Sequence, residues 1–239
     1  MSEHSFDALS AVTRDDAAVQ AGFVNRVFGW MTAGLAITGL VAWAAYDYAP
    51  LHDLILGSRG TYTTLIILEL VVVFVMTLAI NKLSTAGAAA CFLAFSLLNG
   101  LTLSWIFVIY DLNSLAATFF VTSGMFGAAG LYGYVTKRDL SGIGGIAFMA
   151  LFGLIIASIV NIFWFNTMVD KLICYAGVVI FTALTAWDLQ RIKQMSFAVA
   201  DGRIEESVGR KYAIYGALEL YLDFINLFLF LLRLFGGRK

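Results

Sequence analysis

Apolar residues run along the chain in blocks of about twenty, the length a helix needs to cross a bilayer. Seven such blocks stand out, at residues 27–48, 61–80, 88–110, 114–134, 143–165, 169–188 and 212–234. Polar and apolar residues do not alternate over segments of about ten, so barrel strands are not indicated. The pattern predicts an all-α membrane protein with seven transmembrane helices. Residues 1–22, MSEHSFDALSAVTRDDAAVQAG, are polar and mildly acidic. They lack the apolar stretch of a cleavable signal peptide and are expected to form a disordered cytoplasmic tail ahead of a membrane domain at 23–236. The segment 189–211, LQRIKQMSFAVADGRIEESVGRK, is the one long polar stretch and is expected to be a loop.

Composition agrees with a lipid-solvated surface. Charged residues make up 13% of the chain and hydrophobic residues 61%, against about 25% charged in soluble domains. A net charge of −1 gives no basic surface for nucleic acid. Cys91 and Cys174 lie in apolar runs and are expected on opposite faces as unpaired, buried thiols. His4 and His52 fall outside the spans, which removes a histidine-based metal site or catalytic triad. Lys and Arg sort ten to five between alternate connections. This predicts a cytoplasmic N-terminus and a C-terminus outside. Gly124, Gly127, Gly130 and Gly133, three apart in the fourth span, predict close helix packing.

Four acids stand where charge is costly, about 2.5–3.5 kcal/mol each at a helix centre. They are Glu69 in the second span, Asp188 at the inner end of the sixth, and Glu219 and Asp223 in the seventh. Glu219, Asp223, Asn226, Phe230 and Arg233 form one helical stripe on an otherwise apolar helix. The stripe predicts that the seventh span lies near the middle of the bundle. Carboxylates held close together away from bulk water resist ionising at once. Such a cluster can share a proton, bind a hard cation such as calcium, or activate water. Plainer roles remain open: Asp188 facing interfacial water, Glu219 lining a vestibule, Asp223 making a structural hydrogen bond. Glu69 is expected to pair with Arg233 near the outer surface, and Asn99 and Asn161 to bond between helices.

The run LELYLDFINLFLFLLR from Leu218 to Arg233, with WDLQRIK from Trp187 to Lys193, resembles the Bax inhibitor family of membrane proteins. The segments KRDLSG from Lys137 to Gly142 and SLLNGLTLS from Ser96 to Ser104 fit the same family, and the likeness covers about residues 23–236. It is similar to the bacterial branch, which implies the inner membrane. The resemblance implies six helices wrapped around a central C-terminal helix. It also implies a calcium leak gated by pH, with Asp188 and Asp223 as the proton-sharing pair and possible calcium ligands. Glu69 and Arg233 take the positions of the family's second-span acid and late arginine. The family pattern latches the aspartates with an arginine at the inner end of the second span. Here that region reads AINKLS, so Lys82 is the nearest cation, and it lacks the bidentate geometry of arginine. Glu219 adds a carboxylate where the family pattern has a neutral residue.

The leading expectation is therefore a pH-sensitive calcium or cation leak through Asp188 and Asp223, supported by Glu69, Glu219, Asn226, Arg233 and Lys82. No cofactor is expected, and calcium or protons would be the cargo. A second reading is a regulatory membrane protein that docks to membrane proteases or stress factors. A third, an intramembrane aspartyl protease, lacks its glycine doublet before Asp223, and no enzyme activity is expected. A retinal receptor is excluded because the seventh span has no lysine for a Schiff base.

Overall fold

Local sequence signals set where each helix begins and ends. The computed structural model describes residues 3–237 and 239, without the side chains of residues 3–15 and Leu56. Nine helices run in chain order among these residues: α1 Glu3–Asp47, α2 Ala49–Leu56, α3 Arg59–Ala79, α4 Thr85–Leu103, α5 Ile106–Ile109, α6 Leu112–Val135, α7 Ser141–Phe163, α8 Thr167–Ala200 and α9 Glu206–Phe235. The chain's single proline, Pro50, sits in the first turn of α2, where a missing N–H costs nothing. Side-chain oxygens of Ser58, Ser84, Asp111 and Asn166 cap α3, α4, α6 and α8 by accepting backbone N–H groups. The backbone N–H and the hydroxyl of Ser114 hold the Asp111 carboxyl below its ordinary pKa.

Two expectations about the polar segments are corrected. The leader expected to be disordered is helical from Glu3 and continuous with the first span; Met1 and Ser2 lie outside the described residues. The stretch from Asp15 to Ala21, DDAAVQA, holds no helix breaker, so the helix of the span extends into it. The expected loop at 189–211 is also mostly helix: α8 runs to Ala200, and only residues 201–205 connect it to α9. Leu189, Ile192, Ser196 and Val199 recur at helical spacing, and the first three are buried. An amphipathic helix was hidden there because the stretch is too polar to read as a span. Gly202 turns the connection with φ of 69°.

Six helices among the described residues are long and apolar enough to cross a membrane: 16–47, 59–79, 85–109, 112–135, 141–163 and 167–200. α9 traverses the bundle from end to end beside them. At one end its first turns meet the α3–α4 connection through Lys211 and Asn81, and Arg26 of α1 through Glu206. At the other end the residues after it pair with the backbone of Ile109 and Asp111. α9 is the centre: Ala213, Ala217, Leu220, Tyr221 and Leu227 have no exposed surface. It packs against α8, α1, α6 and α4. Of the six helices expected around it, these four make the main contacts, while α3 packs chiefly on α4 and α7 on α8, one layer out. These two outer helices are the most apolar, and lipid tails solvate such surfaces as well as protein does.

Glycines decide how close the layers come. A Cβ on Gly133 would enter the backbone of Ala186, one on Gly144 would enter the Trp187 ring, and one on Gly177 would lie 2.5 Å from the Phe230 ring. The expected stripe in α6 is only half used, since Gly124 and Gly127 meet nothing within 4 Å. Gly133→Ala is expected to destabilise the protein by about 1–3 kcal/mol through overpacking. Gly124→Ala should raise stability by up to about 1 kcal/mol through helix propensity. Thermal unfolding in detergent compares the two. Backbone amides up to Ala200 should exchange slowly with deuterium and those at 201–205 fast; uniform fast exchange over 189–211 would restore the loop.

Candidate functional site

The polar stripe of α9 faces α8, and the seam between these helices gathers most of the charge inside the bundle. Toward one end, Asp188 from the middle of α8 and Asp223 from α9 are neighbours across the seam. Both are buried, at 7% and 4% exposure. Asp223 Oδ2 is, among the described residues, the one buried side-chain polar atom without a partner. Thr185, one turn before Asp188 on α8 and fully buried, lies against Asp223. Glu219, one turn before Asp223, completes a group of three acids and lies beside the Tyr215 hydroxyl.

One cation contacts two of the three. Arg191 Nη1 donates to Asp188 Oδ1 and to Glu219 Oε1, each at 3.1 Å. Its guanidinium carbon lies 4.8 Å from the centre of the Trp187 ring, which covers one face of the charge. Arg191 thereby ties α8 to α9 at the same level as the aspartate pair. The expected latch, Lys82, is not there. It is exposed in the turn between α3 and α4 and makes no ion pair among the described residues. The α3–α4 turn reaches α9 through its neighbour Asn81, which accepts from Lys211 and Tyr212.

Midway along the seam the contact is apolar. Phe230 lies over Gly177 and stacks on Phe181 with ring centroids 5.9 Å apart. Asn226 is half-buried and donates to the backbone carbonyl of Leu222 at 2.8 Å, so its amide is spent on its own helix. At the other end of the seam Arg233 pairs with Asp170 in the first turn of α8. A cavity of about 230 Å³ opens there, lined by Ser158, Asn161, Asp170 and Arg233 among others. The expected pairing of Arg233 with Glu69 is corrected by this contact. α4 stands between α3 and the seam, and Glu69 accepts instead from Thr102 Oγ1 at 2.5 Å. Asn99 accepts from Tyr221, and Asn161 from the backbone of Asn166. Both cysteines are free.

Sequence reasoning passed over Arg191 and Asp170. Arg191 follows Asp188 by three residues, a spacing that puts both on one face of a helix. The signal was usable only if α8 continued past residue 188. Asp170 carried the opposite charge to Arg233 at the same end of the chain's alternation, yet the pairing was assigned to Glu69 on charge and depth. Among the described residues, no group of three or more His, Cys, Asp or Glu side chains is arranged to hold a metal ion. Two of the three acids of the seam converge on a guanidinium.

Comparison with known proteins agrees with this architecture. Residues 20–239 match the family described as "Inhibitor of apoptosis-promoting Bax1". The chain is 48% identical over 234 residues to "Inner membrane protein YbhL" of Escherichia coli, covering 98% of this chain and 99% of that protein. An uncharacterized protein of Borreliella burgdorferi is 38% identical over 95% of this chain and 96% of its own length. One from Rickettsia prowazekii is 36% identical over 91% and 90%. With the acid-bearing C-terminal helix, the apolar bundle around it and a match over nearly its whole length, the chain belongs to the Bax inhibitor family and is an integral membrane protein.

Proposed function

We propose that the protein is a pH-sensitive leak for calcium or similar cations, gated at the inner end of the α8–α9 seam, with α9 as a seventh membrane span. The observation that carries this reading is the facing pair Asp188 and Asp223, buried with one carboxyl oxygen unpartnered. Glu219 is the third carboxyl of the group, and one guanidinium, that of Arg191, pairs with Asp188 and Glu219 but not with Asp223. With all three ionised the cluster is two charges short of balance. Two carboxylates about 4 Å apart repel by about 4 kcal/mol at an effective dielectric of about 20. That is close to the about 5.5 kcal/mol that carries a two-state equilibrium from 1:99 to 99:1.

The direction follows from the charges. Protons on the aspartate pair relieve the repulsion and hold α8 against α9, so low pH closes the seam. Raising the pH removes them, the inner ends part, and an acid-lined path opens to cations. Arg191 opposes opening by holding Asp188 and Glu219 together. The other groups facing the pair are Tyr215 and Thr185, neither of which supplies positive charge. Calcium is cargo in this reading, touching Asp188 and Asp223 only when the seam opens. The Lys and Arg distribution, with the inner relative from Escherichia coli, supports a cytoplasmic gate and a C-terminus outside.

A regulatory role by docking has one observation of its own. Beyond Arg191 the ends of α8 and α9 join the start of α1 around a cleft of about 650 Å³, which includes Phe23, Arg26 and Glu206. A partner protease or stress factor would engage that end. A peptide-cleaving role for the aspartates is disfavoured by the burial of both side chains, and we infer a non-enzymatic protein.

In liposomes, Asp223→Asn should abolish the rise of calcium flux with pH, since the neutral amide mimics the closed pair; unchanged flux would refute the gate. Arg191→Gln should open the leak at lower pH. It should also cost on the order of 1–3 kcal/mol in stability, discounted because the guanidinium is about a third exposed. Flux and detergent melting curves read both effects.

A further inference from the structure

Glu69 lies at the middle of α3, about 15 Å from either end. Its neighbours Ile67, Leu68, Leu70 and Val71 are exposed on the outside of the bundle, where lipid would meet them. No Lys or Arg pairs with it among the described residues, and the nearest expected partner, Arg233, is held by Asp170. A carboxyl at that depth without a counter-ion exchanges a proton more readily than it holds a charge.

What surrounds Glu69 is polar and continuous. Thr102 donates to it at 2.5 Å, and the Asn99 side chain, three residues before Thr102 on the same helix, lies beside it. Asn99 Oδ1 accepts from the Tyr221 hydroxyl at 3.1 Å. That hydroxyl lies 2.6 Å from Thr38 Oγ1, which donates to the backbone carbonyl of Ser96 at 2.9 Å. The chain crosses from the lipid-facing α3 through α4 to α9 and ends on α1. Tyr221 has no exposed surface and is held edge-on by Phe92 and Phe95 at 6.0 and 5.5 Å. A structural hydrogen bond would need one partner for Tyr221; this tyrosine sits between two, and each has a further partner. The ionisable groups that feel the Glu69 charge are Tyr62 on its own helix and Tyr221 on α9.

We propose that Glu69 is a second proton-binding site, open to the bilayer along the α3–α4 seam and connected through Asn99 and Tyr221 to the centre of the bundle. It is separate from the aspartate pair and does not depend on the leak reading. Tyr221 and Asp223 stand two residues apart, on opposite sides of α9. α9 thus contacts a proton-exchanging carboxyl on one side through the relay and on the other directly.

Dicyclohexylcarbodiimide tests this, because it partitions into bilayers and adds to protonated carboxyls. The full-length protein in liposomes is treated across a range of pH, and labelled peptides are mapped by mass. Glu69 should be labelled at low pH, with labelling falling about tenfold per pH unit above its midpoint. Glu69→Gln should remove that label. Tyr221→Phe, which keeps the buried ring, and Asn99→Leu should each move the midpoint. A Glu69 that is unlabelled at every pH, or labelled equally throughout, overturns the proposal. A midpoint unmoved by Tyr221→Phe in a protein that melts as the wild type does overturns the relay.

Discussion

The structure turns on the imbalance of charge at the inner end of the α8–α9 seam. Three acids gather there around one cation, Arg191, which pairs with Asp188 and Glu219 and leaves Asp223 without a counter-ion. Such a group is stable inside an apolar bundle only while protons or cations make up the difference. The helices that carry it are therefore the central pair, shielded by α1, α4 and α6, while the helices with least polar content form the outer layer.

The two ends of the seam are built differently, and this gives it a direction of motion. At the end away from the acid group, Asp170 and Arg233 are matched one to one. Midway, Gly177 lets Phe230 lie directly on the α8 backbone, a contact that tolerates little sliding. Only the acid group has more carboxyls than cations. Under the proposed gate, helices pinned at one end and loaded at the other would part at the loaded end rather than as a uniform gap.

Much of this was legible in the residues. The stripe from Glu219 to Arg233 faces α8 along its whole length, because polar groups on an apolar helix have no other stable place to point. The central position of α9 follows from the same pattern. The partners were harder to read. Arg191 was hidden because the polar run after residue 188 looked like a loop, although Leu189, Ile192 and Ser196 keep helical spacing and are buried. Glu69 was assigned to Arg233 by charge alone, which carries no information about which helix stands between them. Lys82 was chosen by position in sequence, and a turn leaves it facing outward. Gly124 and Gly127 have the same spacing as Gly130 and Gly133, yet only the latter two meet α8; periodicity identifies a face but not how far along it the neighbour extends.

The most direct test of the proposed opening is a pair of distances measured by electron spin resonance. One pair of spin labels would sit at Gln194 and Arg210 on the inner ends of α8 and α9, the other at Leu172 and Phe235 on the outer ends. Raising the pH should lengthen the inner distance and leave the outer one fixed. Inner and outer distances that both stay constant, or that grow together, would contradict the account.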